Sequence, residues 1–337
     1  MARIAVIGAG ISGVACATEL ANAGHKVVLL DRGVRLGGRM ATQSLRLEGQ
    51  WKGHLIDVGA SYPTTSNADF TKLMKSWGKR EIARQWTDTF HIATGTKLGE
   101  TITGPMRWAA HQGLRAFVED LADQLPSDLV EVSHPVDIDA VTPTEKGVMI
   151  DGNLFDAVAL AMPDPQAKRL LDASFKSSHN ALRGVAWEAV LVLAAAYQKR
   201  TWPEIDGVFV NESSELTFIA DDGRRRGDDA PVLVAHSTGL LAQNHLENSD
   251  AAGPIMQEAM HTILGIKAQP TWSSVKRWSY AKPLAARPEP FHFDAATGVG
   301  LCGDAWCGGQ NGPRIENAWL SGRALGAHMA QAVASVQ

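Results

Sequence analysis

The sequence predicts an α/β protein in two lobes, with both chain ends building one parallel-sheet domain and a mixed α+β lobe inserted between them. Three observations predict it. A complete strand–helix–strand unit occupies the first 30 residues, and a buried strand, a glycine loop and a helix close the chain. Between them the pattern turns to short strands mixed with helices.

Residues 3–7 (Arg-Ile-Ala-Val-Ile) are apolar without alternation, as in a strand buried on both faces. Residues 11–23 carry Ile11, Val14, Ala15, Ala17 and Leu20 at helical spacing, Gly24-His25 ends that helix, and Lys26 to Leu30 reads as a second strand. Helices are expected at 66–78, 107–125, 166–173 and 249–264, and from about 313 to 333. Strands are expected at Leu129–Val132, Val148–Ile150, Phe155–Met162, Trp187–Ala196, Gly207–Val210, Leu216–Ala220, Val232–His236 and Val299–Cys302. Residues 283–294 are proline-rich and irregular, and 221–229 (Asp-Asp-Gly-Arg-Arg-Arg-Gly-Asp-Asp) read as a solvated loop. The expected division gives 1–62, 128–165 and 295–337 to the nucleotide-binding domain and 63–127 and 166–294 to the substrate domain.

With 337 residues, 45% hydrophobic and 20% charged, the chain can bury two cores. A formal net charge of -4 supplies no basic field for nucleic acid and no polybasic membrane patch. The longest apolar stretch outside the N-terminus, Ala189 to Tyr197, has nine residues, about half of a membrane span. Three cysteines, Cys16, Cys302 and Cys307, make neither a disulfide framework nor a zinc module. A reducing cytoplasm, with no metal, membrane or nucleic-acid partner, is the expected setting.

Gly8-Ala9-Gly10-Ile11-Ser12-Gly13 fits the G-x-G-x-x-G dinucleotide fingerprint of a Rossmann-like domain. The first glycine permits the tight turn, the second lets a pyrophosphate approach the backbone, and the third lets helix pack on strand. The helix N-terminus adds free N–H groups and a positive dipole end. Asp31, eighteen residues after Gly13 at the end of the second strand, suits ribose hydroxyls. A second match, Gly298 to Gly303, fails on context: its glycines lie before and within a strand, and Ser321 stands where the acid belongs.

The segment Asp31-Arg32 followed by Leu36-Gly37-Gly38-Arg39-Met40 resembles FAD proteins of the glutathione-reductase-like and amine-oxidase-like group. Val299 to Asp304 resembles their late strand and Gly-Asp pair. Further pieces resemble the renalase-like branch of the FAD-dependent amine oxidase superfamily. They are Asp57-Val58-Gly59-Ala60-Ser61-Tyr62, Ala161-Met162-Pro163, Val234-Ala235-His236-Ser237, His245-Leu246-Glu247, Arg277 to Ala281 and Gly303 to Gly322. Val58, where a polar residue is more usual, and Pro63, where an aromatic is expected, depart from that branch.

The resemblance implies noncovalent FAD, with Cys307 too close to Glu316 for the attachment some amine oxidases use. It implies cofactor contacts from Gly8, Gly10, Ile11, Ser12, Gly13, Asp31, Arg32, Gly38, Arg39, Met40, Gly59, Ala60, Ser61, Val136, Gly303, Asp304, Arg314 and Ile315. Asp304 would bind the ribityl chain, Arg39 would reach the pyrophosphate, and Pro313 would open a final helix aimed at the flavin. The implied chemistry is oxidation of misreduced dihydronicotinamide isomers of NAD(P), with O2 yielding hydrogen peroxide. An amine or amino-acid oxidase, a desaturase of the same superfamily, and a noncatalytic redox sensor are the alternatives. The length of 337 residues favours the first, because those oxidases are usually longer.

Ten tryptophans against three tyrosines is an unusual balance. Tyr62, Trp187, Trp278 and Tyr280 are candidates to wall a pocket for a planar ring, with core packing the alternative for each. His236 suits the same pocket or a structural hydrogen bond. Arg224, Arg225 and Arg226 are candidates to catch a substrate phosphate.

Overall fold

A computed structural model describes residues 1–46, 48–306 and 313–334. Backbone proximity divides the chain into two compact units. One comprises Met1–Gly38, Phe117–Trp187 and Lys282–Gln337, and the other Arg39–Ala116 and Glu188–Ala281. Among the described residues no helix is long and apolar enough to cross a membrane.

The first unit is a six-stranded sheet in the order His292–Asp294, Val299–Cys302, Ala157–Ala161, Arg3–Ile7, Lys26–Leu30 and Val130–Ser133. All neighbours run parallel except the His292–Asp294 edge, which pairs antiparallel with Val299–Cys302. Ile4, Ala5, Val6, Val158, Ala159 and Val299 are fully buried, which accounts for their unbroken apolar runs. The helices Ile11–Asn22 and Ile315–Ala334 cross closely. A Cβ added at Gly322 would lie 1.9 Å from the Ser12 carbonyl oxygen, and one at Gly326 would lie 2.5 Å from that of Cys16. Glycine one turn apart on the last helix therefore sets the distance to the first.

The second unit is a seven-stranded sheet in the order Trp272–Pro283, Trp187–Ala196, Val232–Ser237, Leu216–Asp221, Gly207–Asn211, Ala83–Thr94 and Lys97–Ala110. Strand Trp187–Ala196 serves two cores by alternation. Ala189, Leu191, Leu193 and Ala195 join one that includes Met256, Met260 and Ile263 of helix Ala252–Leu264. Val190, Val192, Ala194 and Ala196 join another with Ile56 and Val58.

Three expectations are corrected. Residues 107–110 end the strand Lys97–Ala110, and the helix starts at Arg115. A short run of buried apolar residues has no period that separates strand from helix, and Gly113, at φ 80°, makes the break. Residues 221–229 are not a solvated loop: Asp222–Arg226 is a helix with Asp222, Arg225 and Arg226 buried. Pro313 precedes the last helix rather than opening it, because Arg314 is its cap, accepting from Ala318 N at 3.1 Å. Residues 39–62 lie in the second unit, where Asp57 is bonded to Leu114 N and to Arg226.

Candidate cofactor and substrate site

In the first unit the carboxyl ends of the parallel strands gather the fingerprint residues along one edge. Register pairs Ile7 with Leu30, so Gly8 and Asp31 leave the sheet side by side. It pairs Ala161 with Cys302, so Gly303 and Asp304 follow on the same edge. Such an edge, where strand connections diverge, is where open α/β sheets hold ligands.

Gly8 has φ 103°, and a Cβ there would meet the Ala161 carbonyl oxygen at 2.5 Å. A Cβ at Gly13 would lie 1.8 Å from the Gly8 oxygen and 3.2 Å from Ala161 Cβ, so the loop closes on the strand only with glycine at both places. Gly10 differs: an added Cβ meets nothing within 4 Å. Asp31 accepts from Ala9 N and Gly33 N, both at 2.6 Å. Its carbonyl accepts from Val136 N at 2.8 Å, which places Val136 beside the acid. Gly37 N donates to Ala9 O at 3.0 Å, and Gly38, at φ 52°, brings its Cβ position to 3.5 Å from Gly10 Cα. Ile11 and Ser12 start the helix and are buried, whereas Arg32 is exposed.

Asp304 is buried in a turn held from several sides. Gly303 N donates to Ser321 Oγ at 3.0 Å, so the serine that disqualified the second fingerprint secures the Gly-Asp pair. Arg287 N donates to Ala305 O at 2.7 Å, and the Arg287 guanidinium stacks on Trp306 at 4.4 Å while bonding Asp164 at 2.8 Å. Arg314 lies 3.5 Å from Glu316, and Ile315 begins the last helix. Trp187 packs, half-buried, against the first unit's core. Cys307 and 308–312 lie outside the described residues.

In the second unit the segment 57–62 is pinned at consecutive residues. Ala60 N donates to Arg39 O at 2.8 Å, and a Cβ at Gly59 would fall 2.0 Å from that oxygen. Trp278 Nε1 donates to Val58 O at 2.7 Å. Arg225 donates to Ser61 O at 2.9 Å and to Asp57 O at 3.2 Å. Arg39 Nη1 donates to Ala281 O at 2.9 Å, and Met40 is buried. Tyr62 enters an aromatic group, with its ring 5.5 Å from Phe90 and 6.0 Å from Phe218. His236 meets Phe218 edge-on at 5.7 Å, and Tyr280 is exposed.

Beneath this segment lies a buried charge network. Asp57 accepts from Thr42 Oγ1 at 2.8 Å, Leu114 N at 2.9 Å and Arg226 Nη2 at 3.1 Å. Asp222 pairs with Arg225 and, at 3.5 Å, with Arg226 and His54. Burial disfavours the Asp222 carboxylate, but the charges of Arg226 and Arg225 and hydrogen bonds from His54 and Arg225 overcome this and hold its pKa well below the ordinary range. Burial likewise opposes His54 protonation. Hydrogen bonds to Asp222 and to Asp228, the latter at 3.0 Å, raise its pKa to about 9. Arg225 and Arg226 are thus spent on backbone and carboxylates. The only sequence sign of this was an arginine run flanked by aspartates, which describes a solvated turn equally well.

The edge fits a dinucleotide by two independent features. Gly10 leaves open space beside the helix N-terminus, and the buried Ser12 Oγ has no hydrogen-bond partner among the described residues. Fold and edge together define a dinucleotide-binding α/β protein with an added sheet unit. Residues 83–326 match the family described as flavin containing amine oxidoreductase, and residues 6–77 match the NAD(P)-binding Rossmann-like domain. The chain belongs to the flavin-containing amine oxidoreductase family, a class of FAD-dependent oxidoreductases.

A zeta-carotene desaturase of Synechocystis sp. is 28% identical over 143 residues, covering 40% of this chain and 27% of that protein. An L-amino acid oxidase of Bothrops pictus is 45% identical over 53 residues, 16% of this chain and 10% of that one. The chain therefore spans about a quarter or less of these curated relatives. Cyclohexylamine oxidase from Brevibacterium oxydans superposes with a TM-score of 0.73 at 14% identity, over 98% of this chain and 99% of that one. Wild-type putrescine oxidase bound to putrescine gives 0.71 at 16% identity, over 99% of each chain. At these identities the structural likeness shows the fold.

Proposed function

We propose that the chain is an FAD-dependent oxidase of the renalase-like branch, acting on misreduced dihydronicotinamide isomers of NAD(P) with O2 as the final acceptor. The observation that carries the cofactor half is the sheet edge that combines Gly8–Gly13, Asp31 and the Gly303-Asp304 turn. Bound FAD would accept a hydride from the substrate and pass two electrons to O2, releasing hydrogen peroxide.

The chain's own residues bind and orient. Asp31, held by Ala9 N and Gly33 N, is set to accept ribose hydroxyls. Gly10 leaves room for a pyrophosphate at the N–H groups of helix Ile11–Asn22, with Ser12 Oγ as a further donor. Arg32, Gly38, Arg39, Met40, Val136, Arg314 and Ile315 complete the proposed contacts. Asp304 is assigned to the ribityl hydroxyls, and the pinned Gly59-Ala60-Ser61 backbone to the ring system. Tyr62, Trp187, His236, Trp278 and Tyr280 are the proposed substrate-side residues. Noncovalent attachment and the division into a nucleotide domain and a substrate domain belong to the same reading.

The resemblance of the 57–62, 161–163, 234–237 and 277–281 segments favours dihydronicotinamide. The family description favours an amine as the second reading. Anaerobic mixing of the flavin-loaded protein with borohydride-treated NAD+ separates them. Bleaching near 450 nm with those isomers, and not with amines or ordinary NADH, is the expected result. Bleaching with amines alone overturns the reading, and no bleaching with any donor favours a redox sensor.

A further inference from the structure

Arg287 lies in the proline-rich segment between Pro283 and Pro290, in the first unit. Two backbone bonds tie that segment down. Leu284 N donates to Ala186 O at 2.8 Å, and Arg287 N donates to Ala305 O at 2.7 Å. Pro288, directly after Arg287, disfavours helical backbone there. The Arg287 side chain is 10% exposed. Its guanidinium donates to Asp164 at 2.8 Å and to the Arg183 carbonyl at 3.3 Å, and its carbon stands 4.4 Å from the Trp306 ring centroid.

Asp304 stands between two clamps. Gly303 before it has φ 146°, which L side chains rarely adopt, so the turn has little stiffness of its own. Ser321 Oγ fixes the turn on the near side of Asp304, accepting from Gly303 N at 3.0 Å. Arg287 fixes it on the far side, through the Ala305 carbonyl and the Trp306 ring. Ser321 belongs to helix Ile315–Ala334, whereas Arg287 lies outside helix and strand and is itself held by Asp164.

Asp164 and Asp304 follow neighbouring strands, Ala157–Ala161 and Val299–Cys302. Burial pushes the Asp164 carboxyl above the ordinary range; the hydrogen bond and charge of Arg287 oppose this, and the charge of Asp304 adds to it. One cation therefore serves a place where two buried carboxylates act on each other. A buried ion pair returns little net stability, so stabilisation alone explains the Asp164–Arg287 pair poorly. Its placement behind the Asp304 turn explains it better.

We propose that Arg287 is a positioning residue for the flavin half of the cofactor, fixing the turn after Gly303 so that Asp304 meets the ribityl chain in one geometry. The inference rests on the assignment of Asp304 to the ribityl hydroxyls, and not on which substrate is oxidised. Gly8–Gly13 and Asp31 hold the other half, so Arg287 acts on one half only.

Calorimetric titration of the full chain, stripped of flavin, with FAD and with ADP tests it. ADP carries the adenosine and both phosphates but no ribityl chain. Arg287→Gln is expected to weaken FAD by roughly tenfold or more while ADP stays within about twofold of the wild type. Arg287→Lys keeps the charge beside Asp164 but loses the planar fork and the stack on Trp306, and is expected to fall between the two. A wild-type FAD affinity in Arg287→Gln, or an equal loss for FAD and ADP, overturns the proposal and leaves Arg287 as a residue of general stability. Should Arg287→Gln not fold, Arg287→Lys decides. FAD weakened by roughly threefold or more with ADP unchanged supports the proposal, and an unchanged ratio of the two overturns it. Wild-type protein that binds FAD no more tightly than ADP overturns the ribityl assignment and this inference with it. Selective loss of FAD in the variants, without bleaching of the wild type by dihydronicotinamide isomers, keeps this inference and removes the substrate reading.

Discussion

Trp278 donates its indole N–H to the Val58 carbonyl at 2.7 Å, and both residues contribute to one core in the second unit. A side chain that reads from sequence as a pocket wall holds the backbone of the segment proposed to lie along the flavin. Val58 itself is 2% exposed, so its apolar character answers to that core. Trp278→Phe keeps the ring's bulk and removes the donor, leaving the Val58 carbonyl unsatisfied. Stability is expected to fall by about 1–3 kcal/mol. Chemical denaturation measures the loss, and an unchanged midpoint would show that the bond contributes nothing.

Gly10 and Gly13 separate cofactor binding from folding. Gly10→Ala places a methyl in open space, so the cofactor-free protein is expected to melt as the wild type does. Its FAD affinity is expected to fall by roughly tenfold or more, about 1.4 kcal/mol per factor of ten. Gly13→Ala drives a methyl against the Gly8 carbonyl and is expected to destabilise the cofactor-free protein as well. Equal melting of both variants would contradict the distinction.

Arg226 neutralises Asp57 and also caps the Ala110 carbonyl at 3.0 Å. Arg226→Met leaves Asp57 buried and less compensated, with an expected cost of about 3–5 kcal/mol. An exposed phosphate-catching arginine would lose almost nothing on the same change, so urea unfolding distinguishes the two roles.

His54 makes the second unit sensitive to alkali. Its folded pKa of about 9 stands above the ordinary 6.5, so the stability it contributes is fully present below pH 6.5 and is lost as pH rises through about 9. Thermal melting is expected to fall across that window, and His54→Gln is expected to flatten the profile. A wild-type profile in His54→Gln would place the titration elsewhere.

The last helix depends on a single hydrogen atom at Gly322. Gly322→Ala brings a methyl to 1.9 Å from the Ser12 carbonyl oxygen and must push helix Ile11–Asn22 away. A melting temperature at least several degrees lower is expected, as for other overpacked interiors. A wild-type melting temperature would show that the crossing yields without cost.

Local chemistry was enough to read the first unit. Its strands are continuous apolar runs because parallel strands bury both faces, and glycine is forced at Gly8 by the turn and at Gly13 by the close approach of the helix to the Gly8 carbonyl. Gly8, Gly13 and Asp31 therefore carry their mechanical roles in the sequence itself. The arginines could not be read this way. Arg107, Arg225 and Arg226 are all polar residues in unremarkable strings, and whether each meets a carboxylate, a carbonyl or a ring depends on segments more than a hundred residues away, or across the sheet. Periodicity also failed where a strand ends in buried residues, as at 107–110. By itself the sequence determined the nucleotide-type unit, because its signals lie within a few residues of each other. Only the tertiary structure decided which charges are buried, since burial and pairing are properties of distant residues brought together.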